Sequence, residues 1–180
     1  MTATRGPAGL PAGVTVRVVD PTSPPVPEMV ERMLDHLEGL YEGFDRGEMT
    51  LDAGDFRPPS GAWVVVERDG RPLACGGVRR CEVGESTAEL KRIWVEAPAR
   101  RTGMSRLLLA ALEACASELG YAEIYLDTGP RQLEAMRLYE TSGYERIANY
   151  GRNAASTFLT SYAKLLAPLD GKRIASRSAR

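Results

Sequence analysis

The stretch Glu89-Leu-Lys-Arg-Ile-Trp-Val-Glu-Ala-Pro-Ala-Arg-Arg-Thr-Gly-Met-Ser-Arg106, running on into Leu107-Leu-Leu-Ala-Ala-Leu-Glu-Ala-Cys115, decides the reading of this 180-residue chain. It predicts a strand ending near Val95, a basic turn, and an amphipathic helix, with Pro98 ruling out continuation as an inner strand. The first N–H groups of a helix have no acceptor inside it and carry partial positive charge, so such an end attracts anions. Arg100 and Arg101 add forked donors suited to phosphate oxygens. Gly103 lets the backbone approach a ligand without an intervening Cβ. A pyrophosphate suits this turn. The chain contains no Gly-x-x-x-x-Gly-Lys-Ser/Thr and no Gly-x-Gly-x-x-Gly, so neither the P-loop nor the dinucleotide fingerprint accounts for it.

Upstream, Val14–Val19 alternates like a strand, and a helix beginning near Pro25, with Ser23 as its cap, carries Met29, Val30, Met33, Leu34, Leu37, Leu40 and Tyr41 at three-and-four spacing. Trp63–Glu67, the turn Asp69-Gly70 and Leu73–Arg79 predict a β-hairpin. The helix after the basic turn places Met104, Leu107, Leu108, Ala111, Leu112, Cys115 and Leu119 on one stripe and stops at Gly120. Ile124–Leu126 is a buried strand, and a helix from about Pro130 ends at Gly143. Tyr144–Tyr150 and Thr157–Leu166 close the chain as an antiparallel pair, whose edge could pair two copies into a homodimer. The order β, α, β, β, β, α, β, α, β, β predicts an α/β domain over 13–167, with a tail at 1–12 and a second at 168–180.

Arg100-Arg-Thr-Gly-Met-Ser105 resembles the Gln/Arg-x-x-Gly-x-Gly/Ala element of the GNAT N-acetyltransferases, with Ser105 at the last small position. Tyr125-Leu-Asp-Thr128 and Gln132-Leu-Glu-Ala-Met-Arg-Leu-Tyr-Glu-Thr-Ser-Gly-Tyr144 resemble that family's fifth strand and its Asn-x-x-Ala-x-x-Leu-Tyr-x-x-x-Gly-Phe/Tyr element, with Gln132 where Asn is common. The resemblance implies a mixed, largely antiparallel sheet with helices on both faces and splayed fourth and fifth strands. It also implies acetyl-CoA as cosubstrate. Backbone at Ile93, Trp94 and Val95 would meet its pantetheine arm. The turn Arg100, Arg101, Thr102, Gly103, Met104, Ser105 and Arg106 would hold its pyrophosphate, and Thr128 and Gln132 would also bind the cofactor.

Acetyl transfer to an amine requires a neutral nucleophile, a stabilised oxyanion and a proton for the leaving thiolate. Deprotonating a lysine-like amine at pH 7 costs roughly 4–5 kcal/mol, and an α-amino group only about 1 kcal/mol. The resemblance assigns Glu89 as base or water relay; the alternative is a solvated strand carboxylate paired with a neighbour such as Arg92. It assigns Tyr139 as acid to the thiolate, against an aromatic filling the core. A backbone N–H near Val95 would stabilise the oxyanion. Acceptor binding falls to the loop Tyr41–Asp55, with five acids against one base. There Tyr41, Phe44 and Asp45, with Tyr150, form either a rim for a cationic or peptide amine or an ordinary solvated surface.

The balance of 23 basic and 24 acidic residues gives no global pull toward nucleic acid or an anionic membrane. No apolar run could span a bilayer, and the start of the chain has no secretory h-region. Cys75, Cys81 and Cys115 lack metal-knuckle spacing and an evident His partner, and His36 is expected to face solvent. These features predict a cytoplasmic enzyme without a metal that transfers its acyl group directly. A non-catalytic acyl-CoA-binding regulatory module is the alternative from another class.

Overall fold

A computed structural model describes residues 10–50 and 52–167. The elements run β1 (Val14–Val19), α1 (Val26–Leu40), β2 (Ala62–Arg68), β3 (Arg71–Arg80), β4 (Thr87–Val95), α2 (Met104–Glu118), β5 (Glu123–Thr128), α3 (Leu133–Thr141), β6 (Glu145–Ile147) and β7 (Thr160–Leu165). One seven-stranded sheet has the order β1-β2-β3-β4-β5-β7-β6, antiparallel throughout except for the parallel β4–β5 pair. The mixed sheet expected from the sequence is therefore present, in the expected element order. The tail at 168–180 and residues 1–9 of the other tail lie outside the described residues.

Alternation along β2 shows why the sheet carries helices on both faces. Ala62, Val64 and Val66 join Leu108, Leu112 and other α2 residues in one core. Trp63 and Val65 join Val26, Met29, Met33 and Leu37 of α1 in the other. Side chains of a strand point alternately to opposite faces, and burying each large aliphatic contributes about 1.5–3 kcal/mol. The β2–β3 connection takes positive φ at both Asp69 (51°) and Gly70 (76°), the combination whose twist matches a two-residue hairpin.

Three local expectations change. Ser23 does not cap α1: the cap position is Pro25, with no side-chain hydrogen bond and a proline in the first turn. The last strand pair is shorter than predicted, because residues 148–159 form a loop around a 3₁₀ turn at Gly151–Asn153. Asn149 fastens that loop, donating to the Ser156 and Leu159 carbonyls and accepting from Ser161 Oγ. Finally, β7 lies between β5 and β6, so the open edge at this end of the sheet is the three-residue β6 alone.

Candidate active site

Two features of β4 create a cleft. Its pairing with β5 stops at Glu89↔Tyr125, although β4 continues to Val95 and β5 to Thr128. Backbone from Leu90 to Val95 therefore has no paired β5 partner. The register with β3 also slips between Cys75 and Gly77, so Arg92 and Ile93 stand opposite Gly76, and Arg92 takes φ +57°. Such bulges bend a strand and re-aim its side chains. The opening is about 730 Å³ and is walled by α1 and its following loop, β4, β5, the start of α3 and the β6–β7 loop.

Beyond β4 in the chain, α2 begins without a side-chain cap, behind Gly103 at φ +88°. The first helical bond is donated by Leu107 to the Gly103 carbonyl, so the Met104, Ser105 and Arg106 amides have no acceptor within the helix. The residue at the left-handed cap position carries no Cβ, which is where glycine is favoured. The arginines divide. Arg101 is exposed, with a loose 3.6 Å contact to Glu134, and Arg106 is exposed. Arg100 folds back, donating from Nε to the Val95 carbonyl at 3.2 Å and lying 4.8 Å from the Trp94 ring centroid. The 3₁₀ turn Ala97–Ala99 reverses the chain between these partners, and Thr102 Oγ1 donates to the Ala99 carbonyl. Arg100 is thus engaged within the chain, whereas the first α2 amides and Arg101 are left exposed to a ligand.

Of the proposed chemical residues, Tyr139 lines the cleft and Glu89 does not. Tyr139 is buried against the rings of Tyr144 and Tyr162. Burial, reinforced by the Asp127 charge, raises its phenol well above the usual tyrosine range. Glu89 is only 6% exposed, so it is not a solvated carboxylate, and its partner is not Arg92. Arg79 donates to its Oε2 through Nε at 2.9 Å and Nη2 at 2.8 Å. Lys91 Nζ lies 2.9 Å from Oε1, and the Tyr150 hydroxyl donates to Oε1 at 2.9 Å. Burial pushes the Glu89 pKa up, but the Lys91 and Arg79 charges and hydrogen bonds outweigh it and hold the carboxyl below its ordinary value.

Ile93, Thr128 and Gln132 line the cleft, as do Tyr41, Phe44 and Asp45. Tyr150 does not: it stacks on Tyr125 and binds Glu89. Trp94 packs with the α1-side core, its ring centroid 5.4 Å from the exposed His36. Tyr41 reaches across the cleft, where its hydroxyl accepts from the Arg131 amide at 3.1 Å, and its ring meets the exposed Phe158 edge-on. Several acids of its loop are engaged locally. Asp45 and Asp52 accept from the Gly47 and Gly54 amides, and Asp55 pairs with Arg79. Arg46 binds Glu31, Asp35 and Glu38 on α1.

Sequence reasoning passed over Lys91, Asp127, Arg152, Asn153 and Phe158, all of which line the cleft. Their signal was weak. Only the equal spacing of Glu89 to Lys91 and Tyr125 to Asp127 on paired strands could have brought Lys91 and Asp127 together.

A sequence model described as the acetyltransferase (GNAT) family matches residues 30–144, the span from α1 through the turn after α3. The chain belongs to the GNAT acetyltransferase family. An IAA acetyltransferase of Azospirillum brasilense is 27% identical over 149 residues, covering 81% of this chain and 95% of that protein. An acetyltransferase from Streptococcus agalactiae superposes with a TM-score of 0.69 at 16% identity, covering 86% and 99% of the two chains. The N-acetylglutamate synthase of Neisseria gonorrhoeae, solved with coenzyme A and N-acetyl-glutamate, gives 0.65 at 14% identity, over 88% of this chain and 36% of that one. At those identities the two structures show the shared fold alone. Among the described residues no helix is long and apolar enough to cross a membrane.

Proposed function

We propose that this GNAT protein transfers an acetyl group from acetyl-CoA directly to an amine within a ternary complex. The reading is supported by unpaired β4 backbone from Leu90 to Val95, followed in the chain by uncapped amides at the start of α2, with Tyr139 in the cleft wall. A linear acyl carrier with a pyrophosphate fits that path, its amide-bearing arm adding to β4 like an extra strand. Acetyl-CoA supplies an activated thioester. Tyr139 holds a proton at neutral pH and donates it toward the departing sulfur, while a β4 backbone N–H faces the developing oxyanion.

The surroundings of Glu89 support a positioning role more than that of a base. A carboxylate bound by Arg79, Lys91 and Tyr150 with a lowered pKa is weakly basic near neutral pH. It keeps Lys91 in place in the cleft wall and Tyr150 behind it, and the amine proton leaves through water. Direct transfer is supported by the cysteines. All three are buried and none lines the cleft, and burial pushes the Cys75 thiol to about 12 and Cys115 to about 11.

Thiol release measured against a panel of amines, with both substrates varied, tests the proposal. Intersecting initial-rate lines are expected, and parallel lines would indicate an acyl-enzyme. Saturation at 100 times the dissociation constant adds about 2.7 kcal/mol of stability, so acetyl-CoA should raise the melting temperature. Absence of both that shift and any release would overturn the reading.

A further inference from the structure

The cleft holds two cations with no carboxylate partner among the described residues, Arg92 and Arg152. Arg92 is delivered from the β4 bulge by a left-handed backbone conformation that a non-glycine residue adopts only under constraint. Its Nη1 is buried with no hydrogen-bond partner. Arg152 comes from the 3₁₀ turn after β6, a turn anchored by its own amide donating to Glu82 Oε1 at 2.6 Å. Both residues line the same cleft, and burial first, then the charge of Arg152, lowers the Arg92 pKa to about 10.

Among the described residues the other charged groups of the cleft form no ion pair with either arginine. Lys91 is held by Glu89 at 2.9 Å and Asp127 at 3.0 Å. Asp127 also accepts from Asn153 Nδ2 at 2.9 Å. Across the cleft, Asp45 is turned onto the Gly47 amide, leaving Glu42 on the α1 side. Arg92 is half-buried with an unpartnered Nη1 while Arg152 is exposed, and an anion in the cleft would supply the acceptor that Arg92 lacks.

We infer that Arg92 and Arg152 form the acceptor subsite for a carboxylate, so that the preferred acceptor is an amine that itself carries a carboxylate. The inference rests on the acetyl-transfer reading above and narrows its acceptor class. A guanidinium offers a planar fork matched to the two oxygens of a carboxylate. The sequence offered an acidic loop as a rim for a cationic or peptide amine; several of those acids accept from the loop's own amides or pair with arginine, and the cleft also presents arginine from β4 and from the β6–β7 loop.

The test compares amino acids with their amides as acceptors, using the full chain and its Arg92→Gln, Arg92→Lys and Arg152→Gln variants. The wild type should favour the carboxylated member of each pair by at least about tenfold, the scale of one charge-assisted hydrogen bond. Arg92→Gln should cut kcat/KM for it by about 100-fold, chiefly through KM, and change the amide by less than about threefold. Arg92→Lys should recover part of the loss, and Arg152→Gln should act in the same direction. With CoA present, N-acetylamino acids should raise the melting temperature of the wild type but not of Arg92→Gln. Ligand-free Arg92→Gln should melt no lower than the wild type, because it removes an uncompensated charge. Equal use of amides, equal losses on both members, or no response to N-acetylamino acids overturns the inference. If acetyl-CoA still shifts the melting temperature in that case, the acetyl-transfer reading survives; if it does not, that reading fails first.

Discussion

Lys91 Nζ on β4 lies 3.0 Å from Asp127 Oδ2 on β5, two residues beyond the last backbone pairing of those strands, Glu89 with Tyr125. The ion pair stands where the next in-register step would fall, so a side-chain clasp replaces the ladder as the strands part. Both side chains are mostly buried, 12% and 14% exposed. Removing one partner leaves carboxylates uncompensated in low dielectric. Lys91→Met should therefore lower stability by about 3 kcal/mol, measured by urea denaturation. A Lys91/Asp127 double-mutant cycle should show a coupling of at least about 0.5 kcal/mol, and additive losses would dissolve the clasp.

Glu89 links the same cluster to pH. Its carboxyl titrates below the ordinary value in the fold. A lowered folded-state pKa gives stability that is complete above the unfolded value, about 4.3 for Glu, and is lost as pH falls through the folded value. Unfolding monitored from pH 7 down to pH 2 should show stability holding to about pH 4–5 and then declining. In Glu89→Gln that acid slope should be shallower, with neutral-pH stability lower by about 3 kcal/mol. An identical slope in the variant would remove Glu89 from this account.

Tyr139→Phe separates chemistry from packing. The ring keeps its contacts with Tyr144 and Tyr162, and loss of one hydroxyl should change stability by no more than about 1 kcal/mol. Turnover should fall at least tenfold, an effect of about 1.4 kcal/mol on the barrier, with CoA affinity within about twofold, under 0.5 kcal/mol. Undiminished turnover would make Tyr139 a core residue only.

Gly103→Ala probes the start of α2. A Cβ there meets nothing within 4 Å, so the cost within the protein is the strain of φ +88°, about 1–2 kcal/mol. CoA binding, followed by calorimetry, should weaken by more than that stability loss explains if the amides beyond Gly103 bind the pyrophosphate. Unaltered affinity would move the pyrophosphate elsewhere.

Gly129→Ala tests the arm that Tyr41 throws across the cleft. An added Cβ would sit 2.3 Å from the Tyr41 hydroxyl, so the ring must leave its place beside the Arg131 amide. The acceptor KM should rise several-fold while the melting temperature falls by a few degrees, the scale of about 1 kcal/mol. Kinetics in Tyr41→Phe should be milder, since the ring itself remains.

How far the chain could be read from its residues followed the range of the interactions concerned. Apolar spacing at two and at three to four residues is a local signal, and it sufficed for the strand and helix order, the Asp69-Gly70 hairpin and both helix stops. The basic turn before α2 was legible for the same reason: amides at a helix start and a glycine ahead of them belong to one short segment. The bulge was not legible, because Arg92 takes its left-handed conformation only when β4 is fitted against β3 at Gly76. The partners of Glu89 come from β3, β4 and the loop beyond β6, up to 61 positions away, and no local pattern encodes such a meeting.

The sequence by itself thus determined the family, the architecture and the basic, glycine-led start of α2, all features carried by contiguous residues. Only the tertiary structure decided that Glu89 is enclosed by cations, that Arg100 turns back onto Trp94, and that Arg92 and Arg152 line one cleft with no ion-pair partner among the described residues. Charge in a folded protein acts through distance and burial, and neither exists until strands distant in the chain lie side by side.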